Sequence, residues 1–286
     1  MPPALVDRLD RVATRFIERL CAGADDLRAL PATAVVVAHP DDEVIGAGAR
    51  LPRLRRAAFI HLTDGAPRDL RDAIATGFAT RLDYAQARRR ELIVGLGLAG
   101  IAPEQTHALA YVDQEAALRL VDAPRHIAVL LRNLQPEVVV TLPYEGGHPD
   151  HDATAFAAHA ACRLLERQGL PPPALVEMTS YHKGPTGIEV YEFLPCEGCE
   201  ATTLVLSTAE RAFKRRLLDA FPTQRRTLSC FPIEVERFRP APRYDFTRAP
   251  HEGPLFYEDF PWGMTGERFR SLTRQAMAAL GITGDL

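Results

Sequence analysis

Short runs of apolar residues that end abruptly in polar residues are the clearest pattern along the chain. Residues 34–37 read Ala-Val-Val-Val, and residues 137–142 read Glu-Val-Val-Val-Thr-Leu. Valine-rich runs of this length predict strands that are covered on both faces, as in a parallel sheet. A helix is predicted after each strand, over residues 43–51 and 153–168. This alternation predicts the α/β class, with a Rossmann-like, mostly parallel sheet flanked by helices.

The same periodicities predict further elements on either side of these two units. The predicted helices cover residues 4–21, 80–96, 123–134, 207–221 and 266–280. The predicted strands cover residues 57–62, 175–181, 188–194 and 202–206. Residues 229–264 contain many prolines and aromatic residues with little periodicity, so we expect a long ordered loop over the edge of the sheet there.

The length and these elements together predict one domain with three parts. At 286 residues the chain is long enough for one large domain. Residues 1–30 would be an N-terminal helical extension, and residues 34–168 would be the α/β core. Residues 174–286 would be a C-terminal extension that is rich in strands and loops and lies on the substrate side.

Both valine-rich strands run into loops that carry histidine and carboxylate side chains. These residues are His39, Asp41 and Asp42 after the first strand, and His148, Asp150 and His151 after the second. Ligands bind at the carboxyl ends of strands in open α/β sheets, so the two loops should meet at one edge. Two histidines and one carboxylate form a ligand set of catalytic zinc sites, although the same donors suit Fe²⁺, Co²⁺ or Mn²⁺. The first loop alone also reads as a plain helix start, because acidic residues suit a first helical turn.

Together the two loops resemble the motifs of a known enzyme family. Ala38-His39-Pro40-Asp41-Asp42-Glu43 and His148-Pro149-Asp150-His151 are similar to the two motifs of the PIG-L (LmbE-like) zinc-dependent de-N-acetylases, in the same order and separation. The resemblance spans residues 34–167, with a weaker similarity near residues 214–224. The family includes deacetylases of N-acetylglucosaminyl-phosphatidylinositol and of mycothiol and bacillithiol precursors. The resemblance therefore implies a hydrolase that removes an N-acetyl group from an amino sugar or a sugar conjugate.

The resemblance also implies a role for each motif residue. The metal ligands would be His39, Asp42 and His151. Asp41 would be the general base that acts on the metal-bound water. His148 would stabilise or protonate the tetrahedral intermediate, and Asp150 would hold the His148 ring.

Three further residues are expected to bind the substrate. Asp64 lies in a Thr-Asp-Gly loop of the kind that lines the family's pocket, although Asp-Gly is equally typical of a plain turn. Arg88 matches a family arginine that reaches a substrate hydroxyl or phosphate, and a solvated basic helix face is the alternative. Asp113 matches a family aspartate that accepts hydrogen bonds from sugar hydroxyls, and an Asx turn is the alternative. His182, His251, Tyr257 and Trp262 could line the mouth of the site, although each of these residues is more often structural.

Departures from the family pattern leave the substrate open. The loops Ala66–Gly77 and Ser229–Met264, where the family's sugar specificity resides, have no residue-level match. Gly146 stands where some family members carry a tyrosine. Two other functions remain: an amidase that acts on a different N-acyl conjugate, and a catalytically silent protein that binds a metal or a sugar.

Composition and charge narrow the expected partners. The net charge of −3 gives no electrostatic case for nucleic acid or an anionic membrane surface. No apolar run has the length of a membrane span, and residues 1–22 lack the apolar core of a signal peptide. The five scattered cysteines fit a reducing compartment. We therefore expect a cytoplasmic enzyme with a small N-acetylated sugar as substrate, and a homo-oligomer is left open.

Overall fold

The fold was analysed in a computed structural model, which describes residues 2–23 and 29–286. The helices are α1 (Pro3–Cys21), α2 (Asp42–Ala47), α3 (Arg71–Ala75), α4 (Arg81–Leu98), α5 (Asp122–Leu134), α6 (Pro149–Arg167), α7 (Thr208–Leu218), α8 (Arg225–Leu228) and α9 (Gly266–Leu280). The strands are β1 (Thr33–Val37), β2 (Ala58–Pro67), β3 (Thr106–Asp113), β4 (Val138–Thr141), β5 (Ala174–Met178), β6 (Tyr181–Gly184), β7 (Gly187–Val190), β8 (Thr202–Val205) and β9 (Val235–Pro240). The predicted N-terminal extension is helical over α1, whereas residues 1 and 24–28 lie outside the described residues.

The strands form a seven-stranded sheet with the order β3-β2-β1-β4-β5-β9-β8, beside a separate β6–β7 hairpin. The five strands from β3 to β5 are parallel, and β9 and β8 are antiparallel to their neighbours. From β1 the chain adds β2 and β3 on one side, and it then crosses to add β4 and β5 on the other side. The order of the strands therefore reverses between β1 and β4, the two strands that precede the histidine loops. Such a reversal leaves a crevice at the carboxyl ends of the two strands, and ligands of open α/β sheets bind there. The predicted α/β fold with a mostly parallel sheet is confirmed.

Apolar layers on both faces of the sheet explain why the central strands are continuously apolar. Val35 and Val37 belong to a core layer that also contains side chains of α1 and α4. Ala34 and Val36 face the opposite layer, which contains side chains of α5 and α6. Because successive strand residues point to opposite faces, a strand that is covered on both sides needs apolar residues at every position.

The C-terminal part departs from the expected loop. Strand β9 lies inside residues 229–264 and pairs with β5 and β8, so the prediction of an irregular loop was wrong over Val235–Pro240. The reason is that Glu236 and Arg239 are buried in this strand, which conceals its apolar face in the sequence. Lys214 donates a hydrogen bond of 2.9 Å to Glu236, and Arg239 donates one of 2.8 Å to Glu177. No helix in the described part of the chain is long and apolar enough to cross a membrane.

Candidate active site

The first loop turns sharply between β1 and α2. The Asp42 carboxylate accepts hydrogen bonds from the backbone N–H groups of Ala38 (3.1 Å) and His39 (2.8 Å), which fixes it beneath the turn. Asp41, the residue before α2, has a φ of 136°. Positive φ is strained for a residue with a side chain and costs about 1–3 kcal/mol. The strain turns the Asp41 and Asp42 side chains in different directions, so that each can do separate work.

Three donor atoms from the two loops converge at the carboxyl ends of β1 and β4. His39 Nδ1 lies 3.5 Å from Asp42 Oδ2 and 3.3 Å from His151 Nε2, and His151 Nε2 lies 3.2 Å from Asp42 Oδ1. Donors bound to a tetrahedral ion at about 2.0–2.1 Å are about 3.3 Å apart, so the triangle has the size of such a site. His148 also lies near, since His39, His148 and His151 each offer a nitrogen within 4.8 Å of the others. The structure thus brings together the three predicted ligands.

Two carboxylates behind His39 orient its ring. Its Nε2 lies 3.1 Å from Asp113 Oδ1 and 3.3 Å from Asp150 Oδ2. If Nε2 carries the proton and donates to these acids, Nδ1 is left with a lone pair for a metal, as in carboxylate–histidine–metal arrangements. Burial disfavours a charge on His39, but the neighbouring carboxylates outweigh burial and raise the pKa of this imidazole well above its usual value. The cluster therefore stabilises positive charge at this position, which fits a divalent cation.

Asp150 has a different partner from the one expected. Its carboxylate contacts His39 and accepts hydrogen bonds from the backbone N–H groups of Gln114 (2.6 Å) and Ala116 (2.9 Å). The expected contact with the His148 ring is replaced by a hydrogen bond of 3.1 Å from the backbone N–H of Asp150 to His148 Nδ1. His148 caps the N-terminus of α6, so its ring folds back over the first helical turn and meets the backbone rather than the Asp150 side chain.

Asp41 is paired with a buried arginine from α4. Arg88 Nη2 donates to Asp41 Oδ2 (3.1 Å) and to the carbonyl oxygen of Pro40 (2.8 Å). Burial raises the pKa of Asp41 to about 8, while the Arg88 cation acts in the opposite direction. Arg88 was predicted to contact the substrate, and its guanidinium is here engaged with Asp41. A substrate contact by Arg88 stays a prediction.

The other two predicted substrate residues lie on the side of the crevice formed by β2 and β3. Asp113 ends β3, and its side chain retains 14% exposure while it contacts His39. Asp64 lies near the end of β2 and forms an ion pair of 2.6 Å with Arg81. Its other oxygen accepts a hydrogen bond of 3.1 Å from the backbone N–H of Ala66. Charged groups therefore form this side of the crevice, and contact of either acid with a substrate stays a prediction.

The second loop is held by residues that the sequence did not point to. Asp152 Oδ1 accepts hydrogen bonds from the backbone N–H groups of Glu145 (3.3 Å) and Gly146 (3.0 Å). The backbone N–H of Phe256 donates to the carbonyl oxygen of Gly146 (2.9 Å). Asp152 directly follows the His-Pro-Asp-His motif, so its position in the sequence could have indicated a role in holding the loop. Nothing in the local sequence indicated Phe256.

Aromatic side chains cover the site on the side of β5. The Trp262 ring lies 4.6 Å from the His148 ring, and the Tyr181 ring lies 5.3 Å from the His151 ring. Burial and the neighbouring His39 lower the pKa of His148 well below its usual value, so the ring is neutral. Because His148 Nδ1 accepts the backbone hydrogen bond, the neutral ring carries its proton on Nε2. The site therefore offers an N–H donor, a carboxylate base and three metal donors in one buried cluster.

Part of the chain matches a known protein family. Residues 34–162 match the family model described as PIG-L: GlcNAc-PI de-N-acetylase. A search of the curated proteins found no match.

Several solved structures share the fold. The zinc-inhibited form of teicoplanin deacetylase has a TM-score of 0.55 and 18% identity, over 74% of this chain and 98% of that chain. The A40926 pseudoaglycone deacetylase has a TM-score of 0.55 and 20% identity, over 74% of this chain and 97% of that chain. The N,N'-diacetylchitobiose deacetylase from Pyrococcus horikoshii has a TM-score of 0.52 and 20% identity, over 84% of this chain and 92% of that chain. Both motif loops lie inside the segment, residues 34–162, that matches the PIG-L family model.

Proposed function

We propose that the protein is a metal-dependent hydrolase that removes an N-acetyl group from an amino sugar or a sugar conjugate. The observation that carries the proposal is the triangle of His39 Nδ1, Asp42 and His151 Nε2, with sides of 3.2–3.5 Å, beside the carboxylate of Asp41. A catalytically silent binding site has no need of a strained, arginine-held carboxylate next to its metal donors. The names of the structural neighbours, which are deacetylases of glycopeptides and of diacetylchitobiose, support the same class of reaction.

His39, Asp42 and His151 would hold the metal, which we propose is Zn²⁺, with Fe²⁺, Co²⁺ or Mn²⁺ as alternatives. When bound, the ion polarises the amide carbonyl and makes water acidic enough to be deprotonated near neutral pH. Asp113 and Asp150 keep His39 in the tautomer that presents Nδ1. The backbone N–H groups of Ala38 and His39 keep the Asp42 carboxylate in place.

Asp41 takes the proton of the attacking water. Burial strengthens its carboxylate as a base, and a cation bound beside it would favour the ionised form that accepts the proton. Arg88 fixes the direction of the carboxylate through its bond to Asp41 Oδ2. Asp41 then returns this proton to the leaving amine.

His148 stabilises the oxygen on which negative charge develops. Its Nε2–H is the only proton of the neutral ring, because Nδ1 accepts the backbone N–H of Asp150. A hydrogen bond to a developing oxyanion in a buried site is worth about 3–4 kcal/mol of transition-state stabilisation. We propose that the sugar hydroxyls form hydrogen bonds with three residues on the charged side of the crevice, namely Asp64, Arg88 and Asp113.

The test is the pair Asp41→Asn and His151→Ala. We expect Asp41→Asn to keep about one divalent ion per chain by elemental mass spectrometry and to lose at least about 100-fold in acetate release from N-acetylated sugars. His151→Ala should lose both the ion and activity. Turnover of Asp41→Asn within a few-fold of wild type would show that another group is the base. A wild-type chain that binds no divalent ion after zinc reconstitution would overturn the hydrolase mechanism.

A comparison of acids released separates the two hydrolase alternatives. Substrates that carry acetyl, butanoyl and larger acyl groups on the same sugar should be cleaved with acetate released fastest. Faster release of a larger acid would favour an amidase on a different N-acyl conjugate.

A further inference from the structure

A row of aromatic side chains leads from the catalytic cluster to the surface. Trp262 lies beside His148, and the Phe260 ring stacks on Trp262 at 4.5 Å with an angle of 11° between the planes. Phe256 lies 5.3 Å from Phe260, and Tyr181 lies 5.7 Å from Phe256 and contacts His151. We call Tyr181, Phe256, Phe260 and Trp262 the aromatic wall.

One ring of the aromatic wall is exposed to solvent, and the other three are partly buried. Phe260 exposes 37% of its surface, and it is the one aromatic side chain among the large hydrophobic residues exposed in the described part of the chain. Exposed aromatic rings next to a catalytic cluster lower the free energy of a complex when an apolar group covers them. Folding alone therefore gives no reason for these rings to lie at the mouth of the site.

The two sides of the crevice differ in chemistry. Asp64 lies in β2, Asp113 ends β3, and Arg81 begins α4. The charged groups therefore lie toward the β3 end of the sheet. Tyr181 follows β5, which lies beyond β4 on the other end. The metal donors lie between the two sides, at β1 and β4. A substrate that spans the crevice meets polar groups at one end and apolar rings at the other.

The metal donors are nearly closed to solvent, whereas the apolar rings extend to the surface. His39, Asp41, Asp42 and His151 each expose between 2% and 8% of their surface. Trp262 contacts His148, and the exposed Phe260 stacks on Trp262. We therefore assign the buried end of the site to the small acetyl group and the exposed rings to the group attached to the sugar.

We infer that the substrate is an N-acetylated amino sugar with an apolar, ring-bearing aglycone, and that Phe260 and Trp262 determine this specificity. The inference rests on the proposed deacetylase function, because the occupant of the wall is part of that substrate. The acetamide lies at the metal donors, the sugar hydroxyls face Asp113, and the aglycone covers Phe260. Trp262 connects the two regions, since it contacts both His148 and Phe260.

The chain carries its own reporter for this site, because Trp262 is its single tryptophan. Titration of the metal-loaded protein with phenyl β-N-acetylglucosaminide should change the tryptophan fluorescence saturably and reduce quenching by acrylamide. N-acetylglucosamine should bind at least about tenfold more weakly, because it leaves the wall uncovered. This binding measurement does not depend on turnover.

The Phe260→Ala variant tests the assignment, with Val129→Ala as the matched control. Val129 exposes 47% of its surface and lies in α5, which contributes no residue to the proposed site. We expect Phe260→Ala to bring the two ligands within about twofold of each other in affinity, and Val129→Ala to keep the tenfold preference. The ratio of kcat/KM for the two sugars should change in parallel.

The opposite results have distinct meanings. Equal affinities of wild type for the phenyl glycoside and the bare sugar would overturn the inference, even if both are deacetylated. A stronger response to N-hexanoylglucosamine than to the phenyl glycoside would also overturn it, because the wall would then serve the acyl group. Binding of the phenyl glycoside with the expected preference, but without acetate release under any metal, would support the wall and contradict the proposed function.

Discussion

The two loops that form the site look alike in sequence but are held in place by different parts of the chain. Each follows a buried valine-rich strand and carries a His-Pro-Asp sequence. The first loop is held by its own backbone and by Arg88, all within the parallel half of the molecule. The second loop is held from the C-terminal half, by backbone contacts with residues 194 and 256 and by Arg239. Asp41 is therefore fixed by the parallel half alone, whereas the loop that carries His148 is held both by its own Asp152 and by the C-terminal part.

This difference separates two tasks. The first loop supplies Asp41, Asp42 and His39. Their partners lie in the loop itself, in α4, at the end of β3 and at the start of α6, all within the parallel half. The second loop lies next to the aromatic wall, so the residues that hold it also shape the mouth of the site. Changes in the C-terminal half can therefore alter substrate choice while the first loop keeps its geometry.

The largest effect is expected from adding a methyl group at the second loop. A Cβ at Gly147 would lie 2.0 Å from the carbonyl oxygen of Tyr181, so backbone must move. A shift of about 1 Å in a catalytic loop costs on the order of 100-fold in rate, and the overpacking costs about 1–3 kcal/mol. We expect Gly147→Ala to lose activity accordingly, measured as kcat for acetate release alongside a thermal melt.

The matched substitution in the first loop's helix is Gly46→Ala. A Cβ there would lie 2.6 Å from Met178 Sδ, and a methionine side chain can move aside. Activity within a few-fold of wild type is expected. Equal losses in the two variants would remove the contrast between the loops.

An intermediate effect is expected from the two buried arginines. Arg88→Met removes the donor that directs Asp41 but leaves the carboxylate, so kcat should fall by about tenfold while metal content is kept. Arg239→Met leaves Glu177 buried without its cation, so the free energy of unfolding should fall by about 3–5 kcal/mol. Denaturant unfolding and kcat per folded chain together check both variants. A stability loss without a kcat effect in Arg88→Met would contradict its role in directing Asp41.

The smallest effect is expected in the pH dependence of stability, at His159 in α6, the helix that follows the second loop. His159 is buried in α6 against the rings of Tyr244 and Phe246, and burial lowers its pKa to about 4. An imidazole in the unfolded chain takes up its proton near pH 6.5, so the unfolded state binds more protons between about pH 6.5 and 4. The stabilisation by neutral His159 is full above about pH 6.5 and is lost as the pH falls toward 4. The loss is about 3 kcal/mol at most.

The check is the free energy of unfolding of the metal-free chain from pH 7 to pH 4. Wild type should lose stability more steeply than His159→Phe, which does not titrate. Parallel curves for the two chains would mean that burial of His159 does not affect its proton binding.

The parallel half could be predicted from the sequence because its signals are local. The valine runs predicted β1 and β4. The His-Pro-Asp sequences that follow these strands predicted the residues that converge at the crevice. The predicted helix at residues 266–280 has the bounds of α9, since its periodicity and its start after Thr265 are both local features. Predicted helix ends elsewhere differ by a few residues, as at α6, which begins at Pro149 rather than near Ala153.

Contacts between distant segments could not be predicted in this way. The carboxylate of Asp150 contacts His39, which lies 111 residues earlier in the chain. The spacing of residues within the motif does not predict this contact. Strand β9 was missed because its buried charges are matched by Lys214 and Glu177, which lie far away in sequence. Trp262 was one of four residues expected near the mouth of the site, but its contact with the His148 ring follows only from the fold.

The position of β9 in the sheet also sets an order of events during synthesis. The three metal donors lie at or before residue 151, whereas β9 inserts between β5 and β8 from residues 235–240. Chains leave the ribosome from the N-terminus, and pairings between distant strands form late. A nascent chain therefore displays all of its metal donors before the segments that close over them have been made. This order permits an ion to be captured during translation, before the mouth of the site is built.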